Sequence, residues 1–488
     1  MKDFDTPLAL VGNSLAVQVA ATERARCGRP TMVINPGGPW GGYFAGVKAG
    51  GTLWDAGMVA CEFTSFRTPD SPPAIASYDP LRRNDIGRFT HTVRAYVEEH
   101  LPTRAIRPLQ MWLGDRLLPD LLLGNALDAL PQLGCRHAVR DELRSHLSTA
   151  LASPWHAQRK DAWPHVGVPD YDTVSRINHG RVLHDAVIAP FARKVLGRDA
   201  GHLHALFHRI PWLPLYWPQT LLAALDEAPT NLPMTIYSHP VGAPVAQLCA
   251  QLESKMASSS EVTVRHERVL GVERSTQGFV LHLEKSGKMN AARLGWSPTP
   301  LQGLQACGID PGTPAEPRLP LMLVFLRVAR HALRREFSVL HAPSSDTGLY
   351  RVVNATDCAG LDDEETVEIV AEANLQVFAD HHGSAAGDLA TTRAVIEDLH
   401  RLGVITEGYR PSFSHVLRLP NALPLPTPEG LRAWGLERDS LLERLPGLEP
   451  LANSSGPFAT SLSDQIIQGL QLAERVDVQP RRRIFAAF

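Results

Sequence analysis

No two of the six cysteines (Cys27, Cys61, Cys135, Cys249, Cys307, Cys358) stand at the spacing of a metal knuckle or a redox pair. That excludes a small zinc module or a dithiol site, and single scattered cysteines read as reduced thiols without disulfides. There is no excess of one charge either. Lys and Arg number 48 against 51 Asp and Glu, a net charge of -3, which gives no electrostatic footprint for nucleic acid. The short basic run Arg481 to Arg483 reads as a solvated tail. Long apolar stretches are absent. Runs such as Leu321 to Leu326 fall far below the roughly 20 residues that span a bilayer, so no membrane partner is expected. The opening MKDFDTPLALVGNSL is acidic where an export signal would be basic, so a cytoplasmic location is expected.

What remains is an ordinary globular composition, 44% hydrophobic and 20% charged over 488 residues, long enough for two or three domains. The opening is the most legible stretch. Leu8 to Val11 is a β-type run, Gly12 to Ser14 a turn, Leu15 to Arg26 a helix ended by Gly28, and Thr31 to Asn35 a second buried strand. Such a β-α-β unit builds a parallel sheet. A glycine-rich segment, Gly37 to Gly51, leads on to Asp55 and Gly57. Residues 85 to 235 read as mainly helical, with apolar spacing in Val93 to Leu101 and Leu183 to Leu206, and with a hairpin at Gln110 to Leu118 that would cap the helices. Val262 to Leu283 alternates as strands, and residues 320 to 355 supply more. Glu364 to Asp380 and Asp464 to Val476 read as amphipathic helices.

In a dinucleotide-binding turn the first glycine makes the turn, the second admits the pyrophosphate and the third lets helix and strand pack. Gly12 stands at the first position, but Ser14 and Val17 hold the other two, and Asn35 replaces the acidic residue that would hold a ribose hydroxyl. Other chemistry is thinner. His204 and His208, with His202 nearby, are spaced for one face of a helix, but no acidic third ligand accompanies them and no metal site is expected. Ser14 imitates a nucleophile elbow at a place with no preceding strands to carry one. The aromatic run Phe207 to Trp217 reads as core packing before it reads as a substrate channel.

The order of the segments resembles the FAD-dependent amine oxidase, protoporphyrinogen oxidase and UDP-galactopyranose mutase group along nearly the whole chain. The resemblance runs from Gly41-Gly42, Gly50 and Asp55-Ala56-Gly57, through LHDAVIAPFARKVLGRDAGHLHALFHRIPWLPLYWP with Lys194, Gly197, Arg209 and Pro211, to YSHPVGAPVAQLCAQLE, LGWSPTP, LPLPTPEGL and QGLQLAERV. It implies an α/β fold with a discontinuous Rossmann-like FAD-binding domain (residues 1-80, 236-305 and 425-488), a mainly helical domain (81-235) and an α+β substrate domain (306-424). By the same resemblance Gly12, Ser14, Asn35, Gly41 and Gly42 would line the phosphates and ribose, Val269 would face adenine, and Gly456 and the Asp464 helix end would approach the flavin. Residues near 12, 42, 269 and 456 should therefore converge. Arg209, Arg351 and Asn354 are the candidate substrate contacts.

Two departures weigh against mutase activity: Met58, Val59 and Ala60 stand where mutases place a histidine, and Ser454-Ser455-Gly456 replaces their Gly-Arg pair. The expected function is an FAD-dependent oxidoreductase acting on an amine, amino-acid derivative or sugar-like compound. The alternatives are a chain of this fold that has lost FAD and serves as a binding or partner subunit, and a redox-neutral flavin mutase. Any FAD should bind more weakly than to relatives with the full signature. Homo- and hetero-oligomers stay equally open.

Overall fold

A computed structural model describes residues 5-63, 73-81, 85-153, 169-228, 230, 232, 235-312, 317-361, 364-383, 387-456 and 460-475. The expected tail Arg481 to Arg483 lies outside them.

The β-α-β unit is present as read: β1 (Thr6–Val11), α1 (Leu15–Arg26) and β2 (Thr31–Asn35). β1 lies between two parallel neighbours, β2 and the Gly287–Trp296 strand, so both its faces are covered and its apolar residues run on without alternation. Leu8, Leu10 and Val11 are buried, each worth about 1.5–3 kcal/mol of transfer free energy. Ser14 caps α1 by accepting a hydrogen bond from Val17 N, and Gly28, with φ of +65°, follows its end. α1 is buried on nearly every side because the Leu462–Glu474 helix crosses it closely. Gly469 permits this crossing, since a Cβ there would lie 2.6 Å from Val19 Cβ.

The first sheet runs in the order Val262–His266, β2, β1, Gly287–Trp296, Phe279–Leu283, Val269–Arg274, with Glu449–Pro450 paired to the end of Gly287–Trp296. Three separate stretches of chain thus build one sheet. Its parallel strands all finish at one edge, where residues 12–14, 35–41, 267, 297 and 451–456 gather. In open α/β sheets this carboxyl edge is where ligands bind.

The second sheet is ordered Phe413–Pro424, Arg318–Ala329, Thr366–Asn374, Arg351–Asn354, Val339–His341, Gln110–Leu113, Arg116–Pro119. The hairpin around Gly114 and Asp115, both at positive φ as a tight primed turn requires, extends the edge of this sheet and packs its inner residues against the helices. One expectation needs correction here. Thr366–Asn374 is a strand, and the helix begins only at Leu375. Thr366, Val367, Ile369 and Val370 are β-branched, and pairing on both sides buries the strand's two faces. The helical layer (Arg136–Leu151, Tyr171–Leu183, Ala189–Leu196 and Pro218–Leu225) packs around one apolar core with the hairpin and Leu319. Leu183 to Leu206 is not one continuous helix: a wide turn at His184–Ile188 and the left-handed Gly197 interrupt it. Among the described residues no helix is long and apolar enough to cross a membrane, and all six cysteines are free thiols.

Candidate functional site

At the carboxyl edge, two of the backbone N–H groups that would greet a phosphate, those of Ala16 and Val17, are already engaged. Helix N-termini bind anions because their first N–H groups lack intrahelical partners. In α1, Val17 N donates to Ser14 Oγ (3.4 Å) and Ala16 N to Gln465 Oε1 (3.4 Å). Ser14 Oγ also accepts from Ser297 Oγ at 2.7 Å. Gly12 has φ of +127°, and a Cβ there would fall 2.7 Å from Ser297 Cβ. The glycine is therefore required by the chain's own residues.

The glycine-rich segment folds over this turn. Gly41 N donates to Asn13 O (2.7 Å), and Asn13 Nδ2 donates to Gly37 O and Pro39 O. At Gly41, with φ of +94°, a Cβ would lie 2.3 Å from Cys249 Sγ, a contact only glycine avoids; Gly42 faces open space. Asn35 is buried and closes its own turn by accepting from Gly37 N at 2.9 Å. Asp55 caps the Ala246–Ser258 helix instead of facing a ligand, accepting from Val245 N and Ala246 N, with His239 Nε2 at 3.1 Å.

From the other side, Ser454 donates to Trp296 O, and Trp296 is the strand partner of Val11. Gly456 is buried two residues on. Val269 lies just beyond Glu267, whose N donates to Asn35 O at 3.1 Å. Contacts of Gly41, Glu267 and Ser454 thus reach the end of the same parallel strands as Gly12. Asp464, in the first turn of the Leu462–Glu474 helix, accepts from Tyr78 Oη (2.6 Å) and Ser461 Oγ; burial pushes its carboxyl up to about 6.

The candidate substrate residues are scattered by comparison. Arg351 is buried and forked onto Glu372, with Nε–Oε1 at 2.8 Å and Nη2–Oε2 at 2.6 Å. Glu372 also accepts from Met58 N and Tyr350 Oη. Arg351 Nη1 has no hydrogen-bond partner among the described residues, but the guanidinium lies 4.1 Å from the Trp212 ring centre. Trp212 holds a left-handed φ of +60°, a strain of roughly 1–2 kcal/mol. Asn354 caps the short Ala355–Cys358 helix, and Arg209 lies 3.5 Å from Glu62. Between Asp55 to Ala60 and the second sheet lies a small cavity lined also by His239, Val353 and Cys358, with room for about one water molecule.

Two other constellations resolve into structure. His204 and His208 flank a single short turn rather than a helical face: His204 Nδ1 accepts from Leu206 N, and His208 Nδ1 lies 2.6 Å from Leu213 O. Ser175, His184 and Asp172 form a hydrogen-bonded row (2.7 and 2.9 Å), but Ser175 is wholly buried and His179 also holds its hydroxyl. No substrate reaches it.

FAD, which the resemblance implies, does not fit these residues as they are arranged: a pyrophosphate would need the α1 amides that Gln465 and Ser14 hold, and a ribose would need Asn35, which closes its own turn. The residues that fill the edge (Ser297, Gln465 and Cys249, with Glu372 and Trp212 deeper in) were missed in the sequence. Ser297 and Gln465 lie in segments singled out there, but nothing local says where their side chains turn.

No family model and no curated protein sequence matches the chain. Solved structures do. A reduced UDP-galactopyranose mutase superposes with a TM-score of 0.68 at 11% identity, covering 96% of this chain and 95% of that one. Cyclohexylamine oxidase from Brevibacterium oxydans IH-35A gives 0.58 at 14%, covering 96% and 98%. Putrescine oxidase bound to putrescine gives 0.56 at 12%, covering 97% and 98%. Over nearly its whole length, this chain shares the fold of these three proteins.

Proposed function

We propose that this chain keeps the scaffold of FAD-dependent oxidases but works without FAD, as a binding or partner protein. The observation that carries the reading is the Gln465 side chain on Ala16 N, beside Ser14 on Val17 N, at the place where α1 would receive a pyrophosphate. The Ser297 packing at Gly12 and the Cys249 packing at Gly41 support it. Its partner is a small molecule or another protein chain, and its six free thiols suit the reducing cytoplasm. The test is the visible absorbance of protein purified without added flavin. A spectrum without a flavin band is expected, and a stoichiometric flavin band overturns the proposal.

A second reading, an FAD-dependent oxidoreductase or redox-neutral flavin enzyme acting on a small metabolite, draws its support from the neighbours, which include two amine oxidases and a mutase. It requires Gln465 to leave Ala16 and the Gly37 to Gly42 segment to lift from Asn13. Were FAD bound, it would supply the electron chemistry. The chain's own part would then be to hold Arg351 and Glu372 fixed beside Met58.

A further inference from the structure

Far from this edge, on the outer helices of the second sheet, three potential ligands come together. The Leu375–His382 helix starts at Asn374, whose Oδ1 accepts from Gln376 N and Val377 N, and stops at Gly383 with φ of +75°. Its last two residues are His381 and His382. Asp398, on the Asp388–Arg401 helix, is wholly buried. One donor atom from each of the three residues lies within 4.8 Å of the others. His382 Nε2 is 2.9 Å from Asp398 Oδ2, and the two imidazoles stand nearly perpendicular with centres 4.6 Å apart.

We propose that His381, His382 and Asp398 bind one divalent transition-metal ion of the zinc type. Two imidazoles and a carboxylate suit zinc, which takes such donors at about 2.0–2.2 Å in a tetrahedron. Neighbouring donors in that tetrahedron are about 3.4 Å apart, so the His382–Asp398 edge is close to its final spacing and His381, the exposed member, makes most of the adjustment. The surroundings hold the two inner ligands in place. Gly348 N donates to Asp398 Oδ2 at 2.8 Å, and the Phe378 ring lies 4.6 Å from the His382 ring; such outer contacts orient metal ligands. A Cβ on Gly348 would meet Phe378 at 2.8 Å, so this backbone is close-packed against the site. Arg401, 3.5 Å from Asp398 Oδ1, and the Lys194 ammonium oppose a cation, which favours a modest affinity. The fourth position opens to solvent on the His381 side and takes water. Such an ion would staple the two helices to each other.

The test is competition between a chromophoric chelator and the full chain, stripped with EDTA and free of any histidine tag, for added zinc. One equivalent of zinc per chain is expected, with the affinity falling more than about tenfold in His381→Ala and in His382→Ala and unchanged in His202→Ala. His381 is exposed, so its variant keeps the fold. No zinc binding by the parent chain, an unchanged affinity in His381→Ala, or an equal loss in His202→Ala overturns the proposal; the first two leave His382 and Asp398 as a plain hydrogen-bonded pair.

Discussion

Arg351→Met separates an arginine committed to the fold from one waiting for a substrate. In the structure the side chain is buried and gives two charge-assisted hydrogen bonds, of 2.8 and 2.6 Å, to Glu372. Truncation leaves Glu372 ionised and buried, with Met58 N and Tyr350 Oη as its remaining donors among the described residues. Removing one partner of such a pair costs about 3–5 kcal/mol, because an uncompensated charge remains, whereas replacing both partners with neutral groups is often close to neutral. Arg351→Met should therefore cost about 3–5 kcal/mol, and Arg351→Met with Glu372→Gln should recover most of it, a coupling of roughly 2–4 kcal/mol. Urea unfolding followed by the fluorescence of the nine tryptophans reads this, and in a chain of this size the comparison applies to the transition in which the second sheet unfolds. A single-variant cost under about 1 kcal/mol, or a double variant as damaging as the sum of the singles, refutes the reasoning and returns Arg351 to the substrate role expected from the sequence.

Gly41→Ala should destabilise by about 2–4 kcal/mol in the same assay, because a Cβ at φ of +94° meets Cys249 Sγ at 2.3 Å; Cys249→Ala in that background should restore roughly 1 kcal/mol, and no relief would contradict the packing. Asp464 titrates at about 6 when folded, above its unfolded carboxylate value, so the native state holds the proton more tightly. The stability this confers is full below about pH 4 and is lost as pH rises through about 6, a fall on the order of 2–3 kcal/mol. Asp464→Asn should flatten that fall in unfolding measured from pH 4 to 8, and an unchanged profile would assign the fall to another group.

The parallel half of the first sheet was legible because its signals are local. A strand buried on both faces shows an unbroken apolar run, and Ser14 and Gly28 punctuate α1. The order of segments along the chain carried the fold further than any one motif, as the superposition over 96% of the chain with the mutase bears out. In Thr366–Asn374 the Glu and Ala residues imitate a helical pattern, and only its pairing with Arg318–Ala329 and Arg351–Asn354 makes it a strand. The hairpin at Gly114 was seen, but its parallel contact with Val339–His341 joins residues more than two hundred positions apart, which no local pattern encodes. The edge itself was located by Gly12 and Gly41. What fills it was not, because Gln465 meets Ala16 across 449 positions.

The central claim, that the nucleotide edge is filled by the chain's own residues, is tested most directly by equilibrium dialysis of the purified protein and its Gln465→Ala variant against FAD. No saturable binding by the parent protein is predicted up to about 0.1 mM FAD, which corresponds to less than roughly 5.5 kcal/mol of binding free energy. Saturable binding of one FAD per chain by the parent protein, with an affinity that Gln465→Ala does not improve, would contradict it.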